Sequence, residues 1–219
     1  MTLEIYLVRH GESEVNEKFN RWSKEEKRIC GTNTWSELTA EGIGQAQDLG
    51  KYFAEKGHSF DRIYSSPAIR AQQTARHCLE NMGYDWPKFK VDERLTELSQ
   101  GQWEGNLDYK TRTDDVWLNI NAMGWHFTPP DGESQYDVYQ RANEFIEQEI
   151  LRQESYNALV FTHNNVIGCL LTGLMGLERH KIHEIKLYPT SITTLHYESG
   201  ELDRVERGEF PHLCGGAFA

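Results

Sequence analysis

The sequence predicts an α/β fold, a three-layer α/β/α sandwich around a mainly parallel central sheet. Two observations predict it: a β-rich run followed by an amphipathic helical pattern occurs three times, and no repeat, low-complexity tract or linker interrupts that order. The first unit is LEIYLV (3–8), which ends at Arg9. After a polar stretch, Thr39 is placed to cap a helix with Ile43, Ala46, Leu49 and Phe53 near helical spacing. In the second unit FDRIYSS (60–66) alternates like a strand. Ser66-Pro67 then offers an N-cap with proline at the first helical position, ahead of a face of Ala71, Ala75, Cys78, Leu79 and Met82. The third unit pairs ALVF (158–161), a buried strand, with a helix whose inner face is Ile167, Leu170, Leu171 and Leu174. Between the second and third units, residues 134–152 read as one amphipathic helix through Val138, Ala142, Phe145, Ile146 and Ile150, introduced by the turn-rich PPDGES. Residues 101–127, which hold Trp103, Trp117 and Trp125, read as helical excursions over one end of the sheet. SITTLHY after Pro189 and residues 202–207 form a closing hairpin around Ser199-Gly200. The whole chain, 1–219, is expected to be one domain.

Composition narrows the function. The formal net charge of -11 argues against nucleic acid or an anionic membrane as partner, so an anionic small molecule has to be met by a local basic pocket. The longest apolar stretch, VIGCLLTGLMGL from Val166, is too short to span a bilayer, and MTLEIYLVRH has Glu4 within its apolar run and no small-residue cleavage site. A cytoplasmic location is expected. Cys30, Cys78, Cys169 and Cys214 are scattered without a C-x-x-C pair, which favours reduced thiols over a disulfide framework or a zinc site. His180 and His183 lack a third ligand and read as surface residues. No metal and no cofactor are expected. The chain does not specify its oligomeric state, and a homodimer is compatible with it.

Ligands of open parallel sheets sit at the carboxyl ends of the strands. Here the first strand delivers Arg9-His10-Gly11-Glu12-Ser13, the second leads through Ser65-Ser66-Pro67 to Arg70, and the third ends on Thr162-His163-Asn164. Arginine forks match phosphate oxygens, an imidazole nitrogen is a competent nucleophile toward phosphorus, and a helix start adds N–H donors. Two arginines and two histidines converging in this way suggest phosphoryl chemistry through a phosphohistidine. Taken singly the residues say less: Arg70 fits a surface helix, Glu97 has Glu93 and Glu104 nearby, and the tryptophans fit packing better than stacking on substrate.

In their order, LVRHGES, Asn16, LTAEG with Gln45-Ala46, SSPAIRAQQTA, LTELSQGQWEG, PDGES with Arg141, VFTH and His212-Leu213 resemble the histidine phosphatase superfamily along nearly the whole chain. The resemblance implies a phosphoglycerate mutase-like fold and a metal-independent phosphatase acting on a small phosphorylated metabolite. It implies His10 as nucleophile, with Arg9, Arg70 and His163 as the clamp on the phosphoryl oxygens. Glu97 is similar to the proton donor and later base, and Asn16 to a further phosphate contact; Cys30, Gly31 and Asn164 fall on the substrate side. Activity should favour neutral to mildly acidic pH.

Three departures stand out. Asn164-Asn165 replaces two glycines, Cys30 stands where relatives carry glutamine, serine or threonine, and residues 17–30 form a longer, lysine- and arginine-rich lid that reads as an ordinary solvated helix or as a reader of charged substrate. Residues 101–130 would form a cap. CGTNTWS lacks the arginine that a cysteine-dependent phosphatase places after its thiolate, so Cys30 is not expected to be a nucleophile. The stretch between Glu97 and His163 is short, which favours hydrolysis over a mutase-type phosphoryl-transfer isomerase. A catalytically silent phosphoester-binding module is the third reading.

Overall fold

Along the central strands apolar side chains leave both faces, because helices cover the sheet on both sides. In β1 (Thr2–Arg9), Leu3, Ile5 and Leu7 join one core while Tyr6 and Val8 join the other. The computed structural model describes residues 2–84, 89–152, 157–178, 182, 185 and 187–213. His180, His183 and Cys214 lie outside them. After β1 the chain forms α1 (Glu14–Arg21), α2 (Ala40–Glu55), β2 (Arg62–Ser65), α3 (Ile69–Asn81) and β3 (Lys90–Val91). Next come α4 (Asp108–Thr111) and α5 (Asp114–Met123), and then α6 (Gln135–Phe145). β4 (Asn157–Thr162), α7 (Asn164–Leu174), β5 (Ile192–Glu198) and β6 (Glu201–Glu209) complete the order.

The sheet order is β3-β2-β4-β1-β5-β6, parallel from β3 to β1 and antiparallel at β5 and β6. α2 and α3 pack on one face through Leu49, Phe53, Ala75 and Cys78, and α6 and α7 on the other through Val138, Phe145, Ile167 and Leu170. Phe161 in β4 is fully buried, so Phe161→Ala should destabilise the fold by about 3–5 kcal/mol. Register decides where the chemistry goes. Arg9 pairs with Thr162, and both Val8 and Ser65 pair with Phe161, so His10, Ser66 and His163 emerge side by side just past the strand ends.

Several expectations need correction. Ser66-Pro67 does not cap the second helix, which starts at Ile69 with Ala68 as N-cap, because the Ser66 hydroxyl is held by the Ala68 N–H and by His163. β2 does not alternate: Ile63, Tyr64 and Ser65 are all buried, as suits an inner strand covered on both faces. Residues 134–152 are α6 followed by a π-helical stretch at Ile146–Leu151 rather than one regular helix, although Ser134 caps its start through a capping box with Asp137. The basic stretch is helical only to Arg21, and Arg28 bridges to Leu107 in the cap. β3, a two-residue edge strand, carries no periodic signal. Thr39 does cap α2, accepting from Gly42 N–H, and Ser199 and Gly200 take positive φ (53° and 88°) at the closing turn. Among the described residues no helix is long and apolar enough to cross a membrane.

Candidate active site

The loop after β1 is pressed against the first turn of α2. A Cβ on Gly11 would lie 2.6 Å from the Gly42 carbonyl oxygen, so no larger residue fits after His10 without moving backbone. The Gly11 N–H is held by Thr74 Oγ1 in α3 (3.0 Å), and the His10 N–H donates to the Thr162 carbonyl (3.0 Å). His10 is thereby fixed from both sides and is almost fully buried.

Its tautomer follows from its partners. Nδ1 lies 2.7 Å from the Gly11 carbonyl oxygen, which can only accept, so Nδ1 carries the proton and Nε2 the free lone pair. Arg70 donates to that Nε2 from Nε at 3.1 Å. Burial first, then the charges of Arg70 and Arg9, hold the His10 pKa well below the ordinary histidine value, so the ring is neutral and nucleophilic at physiological pH.

His163 has the opposite tautomer. Arg70 Nη2 donates to its Nδ1 (3.1 Å), and the proton on Nε2 is directed to Ser66 Oγ (2.8 Å). The two rings are in edge contact, 5.2 Å apart between centroids and inclined at 63°; His163 is fully buried and, unlike His10 and Arg70, is not among the residues that line the cavity. Burial and Arg70 also keep His163 far below its ordinary pKa. Arg70 is buried, and among the described residues it bonds, besides the two histidines, the Asn33 and Thr32 carbonyls and no carboxylate. Arg9 donates through Nη1 to the Leu187 carbonyl, while its buried Nε has no partner among the described residues. A pair of arginines whose charge is unmatched by bonded carboxylates is a site that favours an anion, within a chain of net negative charge.

Glu97 faces these cations across the pocket. Its Oε1 accepts from Leu98 N–H (2.8 Å) and its Oε2 from Asn165 N–H at the start of α7 (3.5 Å). Burial raises its pKa, opposed by the Leu98 hydrogen bond and the Arg70 charge. A neutral imidazole whose Nε2 accepts from Arg70 therefore stands opposite a carboxyl that keeps its proton to higher pH than an ordinary glutamate, a pairing able to supply a nucleophile and an acid together once Arg70 shifts.

The remaining expected residues fall around the same cavity of about 100 Å³, which is lined among others by Arg9, His10, Asn16, Arg70, Glu97 and Asn164. Asn16 Oδ1 is committed to capping α1 through Ser13 Oγ (2.9 Å), so its amide N–H group is what it can offer the pocket. Asn164 and Asn165 do not take left-handed backbone, the feature that would make them stand-ins for glycine; they open α7 as its first residues, and their side chains narrow the pocket. Gly31 lines the rim where a Cβ would fall 2.1 Å from Glu104 Oε1; that carboxylate ties Thr32 N–H (3.1 Å) to Gln100 N–H (3.0 Å). Cys30 is half-buried at the rim with its thiol pKa raised by burial, which keeps it a thiol. Two further partners emerge in the fold, Ser66 for His163 and Asn165 for Glu97. The Ser66 signal was present, in a serine one residue beyond a strand end that pairs with the strand leading to His163. Among the described residues, no three His, Cys, Asp or Glu side chains converge as a metal ion would need.

The chain is similar to known proteins in sequence and in fold. A sequence model of the histidine phosphatase superfamily (branch 1) matches residues 5–208. A Hydrogenobacter thermophilus protein whose name assigns it as a phosphoserine phosphatase is 34% identical over 199 residues, covering 89% of each chain. The 2,3-bisphosphoglycerate-dependent phosphoglycerate mutase of Azorhizobium caulinodans is 32% identical over 181 residues, covering 80% of this chain and 81% of its own. Among solved structures, Bacillus stearothermophilus YhfR superposes with a TM-score of 0.80 at 28% identity, over 96% of this chain and 99% of that one. The Entamoeba histolytica phosphoserine phosphatase structure, solved with phosphoserine, gives a TM-score of 0.74 at 26% identity, over 96% and 99% of the two chains.

Proposed function

This chain belongs to the histidine phosphatase superfamily, and we propose that it hydrolyses a small phosphate monoester in two steps through a phosphoryl group carried on Nε2 of His10. The observation that carries the proposal is the Nδ1–H bond of His10 to the Gly11 carbonyl, which leaves the opposite nitrogen unprotonated in the cavity. In the first step the Nε2 lone pair forms the N–P bond as the ester P–O bond breaks, and the Glu97 proton passes to the departing oxygen. In the second, water adds to phosphorus and loses a proton to the Glu97 carboxylate, and the P–N bond breaks to release phosphate and return the lone pair to Nε2. Arg70 has to exchange its contact with Nε2 for a phosphoryl oxygen as substrate enters. With Arg9 it then neutralises charge on the equatorial oxygens, a function that requires no metal, while the neutral His163 contributes a hydrogen bond. His163 has no proton to give at Nδ1 in the resting tautomer, but the Ser66 hydroxyl can donate to Nε2 and free Nδ1–H for a phosphoryl oxygen.

Hydrolysis is favoured over mutase chemistry by the short stretch between Glu97 and His163. We place the activity in the cytoplasm, where Cys30, Cys78 and Cys169 would remain free thiols. Phosphate release from an aryl phosphate, an alkyl phosphate and 3-phosphoglycerate tests the reading. We expect alcohol and phosphate in equal amounts from the parent and neither from His10→Ala. Conversion of 3- to 2-phosphoglycerate with little phosphate would establish the mutase reading, and no turnover of any ester would establish the silent module.

A further inference from the structure

The inner cavity has room for the phosphoryl group and little more, so the alcohol half of the ester has to lie outside it. Two larger hollows adjoin the rim. One is bounded by Trp22, Thr34 and Trp35 and meets the inner cavity through Val15, Cys30, Gly31 and Asn33, away from Glu97. The other, of about 490 Å³, meets it through Cys30, Leu98, Gln100 and Asn165. Leu98 and Asn165 are the residues whose N–H groups hold the Glu97 carboxylate. An in-line displacement puts the leaving oxygen opposite His10 and next to its proton donor, which directs the alcohol into this second hollow.

Its walls describe the alcohol. Phe19 from α1, Trp103, Trp117, Ile120 and Phe127 face the hollow, and Phe19 and Trp117 remain 37% and 43% exposed. Trp103 and Phe127 stand 5.5 Å apart between ring centroids, so part of the tryptophan content of residues 101–127 is wall rather than packing, while Trp125 is buried. The charged wall residues are largely committed within the protein. Arg112 bonds Asp108 (3.1 Å) and Gln100 (3.1 Å) and lies over the Trp117 ring, and Glu133 bonds Arg141 (2.8 Å). Arg28 is exposed and bonds the Gly105 carbonyl (2.7 Å). Arg28 and Arg112 balance Asp108 and Glu133 in formal charge, so the wall has no excess cation to reward a second anionic group on the substrate. Gln100, Asn121, Gln135 and Asn165 add uncharged polar groups to the aromatic wall, and a hollow of this size and lining suits a drug-sized organic ligand.

We infer that the favoured substrate is a phosphate monoester of a bulky, uncharged, aromatic or largely apolar alcohol, whose body sits between α1 and α5 beside Glu97. The inference rests on the phosphatase reading for its chemistry, while the hollow itself can be tested without turnover. Three primary-alkyl monoesters with similar leaving groups are compared: 2-(2-naphthyl)ethyl phosphate, propyl phosphate and phosphoserine. Because the naphthyl group moves much more apolar surface out of water, kcat/KM should favour it over propyl by about 50-fold. Phosphoserine should gain nothing from its carboxylate. Calorimetry with the non-hydrolysable isosteres 3-(2-naphthyl)propylphosphonate and butylphosphonate, in which CH2 replaces the ester oxygen, reads the same ratio as affinity in the unmodified protein. In both assays Trp117→Ala should reduce the naphthyl-to-propyl ratio about tenfold, and Trp35→Ala, which alters the wrong hollow, should leave the ratio as it is. Equal binding of the two phosphonates, a phosphoserine kcat/KM above that of the naphthyl ester, or loss of the preference in Trp35→Ala instead of Trp117→Ala would overturn the inference. If no ester turns over but the phosphonates rank as stated, the hollow stands and the catalytic reading falls.

Discussion

The inner cavity and the aromatic hollow share a rim at Cys30, Leu98, Gln100 and Asn165, yet they are built by opposite means. The inner cavity takes its main groups from three adjacent parallel strand ends, whose spacing is fixed by sheet register, and its polar groups have defined backbone or side-chain partners apart from the buried Arg9 Nε. The hollow is assembled from α1, α5 and short 3₁₀ turns, with aromatic side chains left half-exposed. The first arrangement fixes atoms for chemistry. The second supplies area, which sets preference but tolerates change. Substitutions should therefore have large effects on turnover inside and moderate effects on selectivity outside.

The largest effect should come from His10→Ala, which removes the nucleophile without opening either core. We expect a loss of at least about 10,000-fold in kcat with an unchanged unfolding midpoint. Substantial turnover in the folded variant would break the comparison at its centre. Next comes Glu97→Gln. An alkyl phosphate, whose alkoxide needs protonation, should react about 100- to 10,000-fold more slowly in the transfer step, and a nitrophenyl ester far less so. Equal losses in single-turnover assays would move the acid role to another carboxylate, with Glu12 or Glu104 to be tested.

The pH dependence sharpens the same pair. The depressed His10 pKa keeps the nucleophile deprotonated to below the ordinary histidine value, so the acid limb of kcat/KM should lie below about pH 6.5. Glu97 acts while protonated, and its raised pKa puts the alkaline limb above the ordinary glutamate value. The ratio of parent to Glu97→Gln kcat/KM cancels the ionisation of the substrate. It should fall as pH rises through the Glu97 pKa, and a pH-independent ratio would contradict the acid role. Ser66→Ala should have a smaller effect, about tenfold in kcat/KM, because it removes the hydroxyl that fixes the His163 tautomer while leaving the cations in place. The smallest expected effect is none: excess EDTA should leave the rate unchanged, and loss restored by magnesium or zinc would contradict the assignment of charge neutralisation to Arg9 and Arg70.

The same contrast explains what could be read from the sequence. The strand ends were legible because apolar runs stop abruptly at Arg9, at Ser65-Ser66 and at Thr162-His163, and parallel topology sends such ends to one edge. Ser66 was misread as a helix cap because a serine before proline carries the same local signal whether its hydroxyl serves a helix or a histidine from another strand. Asn164-Asn165 stands out in the sequence only as a departure from two glycines, whereas the start of α7 takes ordinary helical residues there. The hollow was hidden for a different reason. Trp103, Trp117 and Trp125 look alike in sequence, and only the packing of short cap helices separates the buried Trp125 from the wall residues. β3 is too short to carry a period.

The central claim is that the phosphoryl group rests on Nε2 of His10 between the two steps. The most direct test is rapid acid-free quenching of the parent enzyme with phosphorus-labelled substrate, followed by peptide mapping. The account predicts a label that survives alkali, is lost in acid, and maps to the peptide holding His10, absent from His10→Ala and, with a nitrophenyl ester whose transfer step needs little acid help, accumulating when Glu97→Gln slows attack by water. Turnover with no label at His10 under conditions that trap phosphohistidine, or a label on Cys30 or His163 instead, would contradict it.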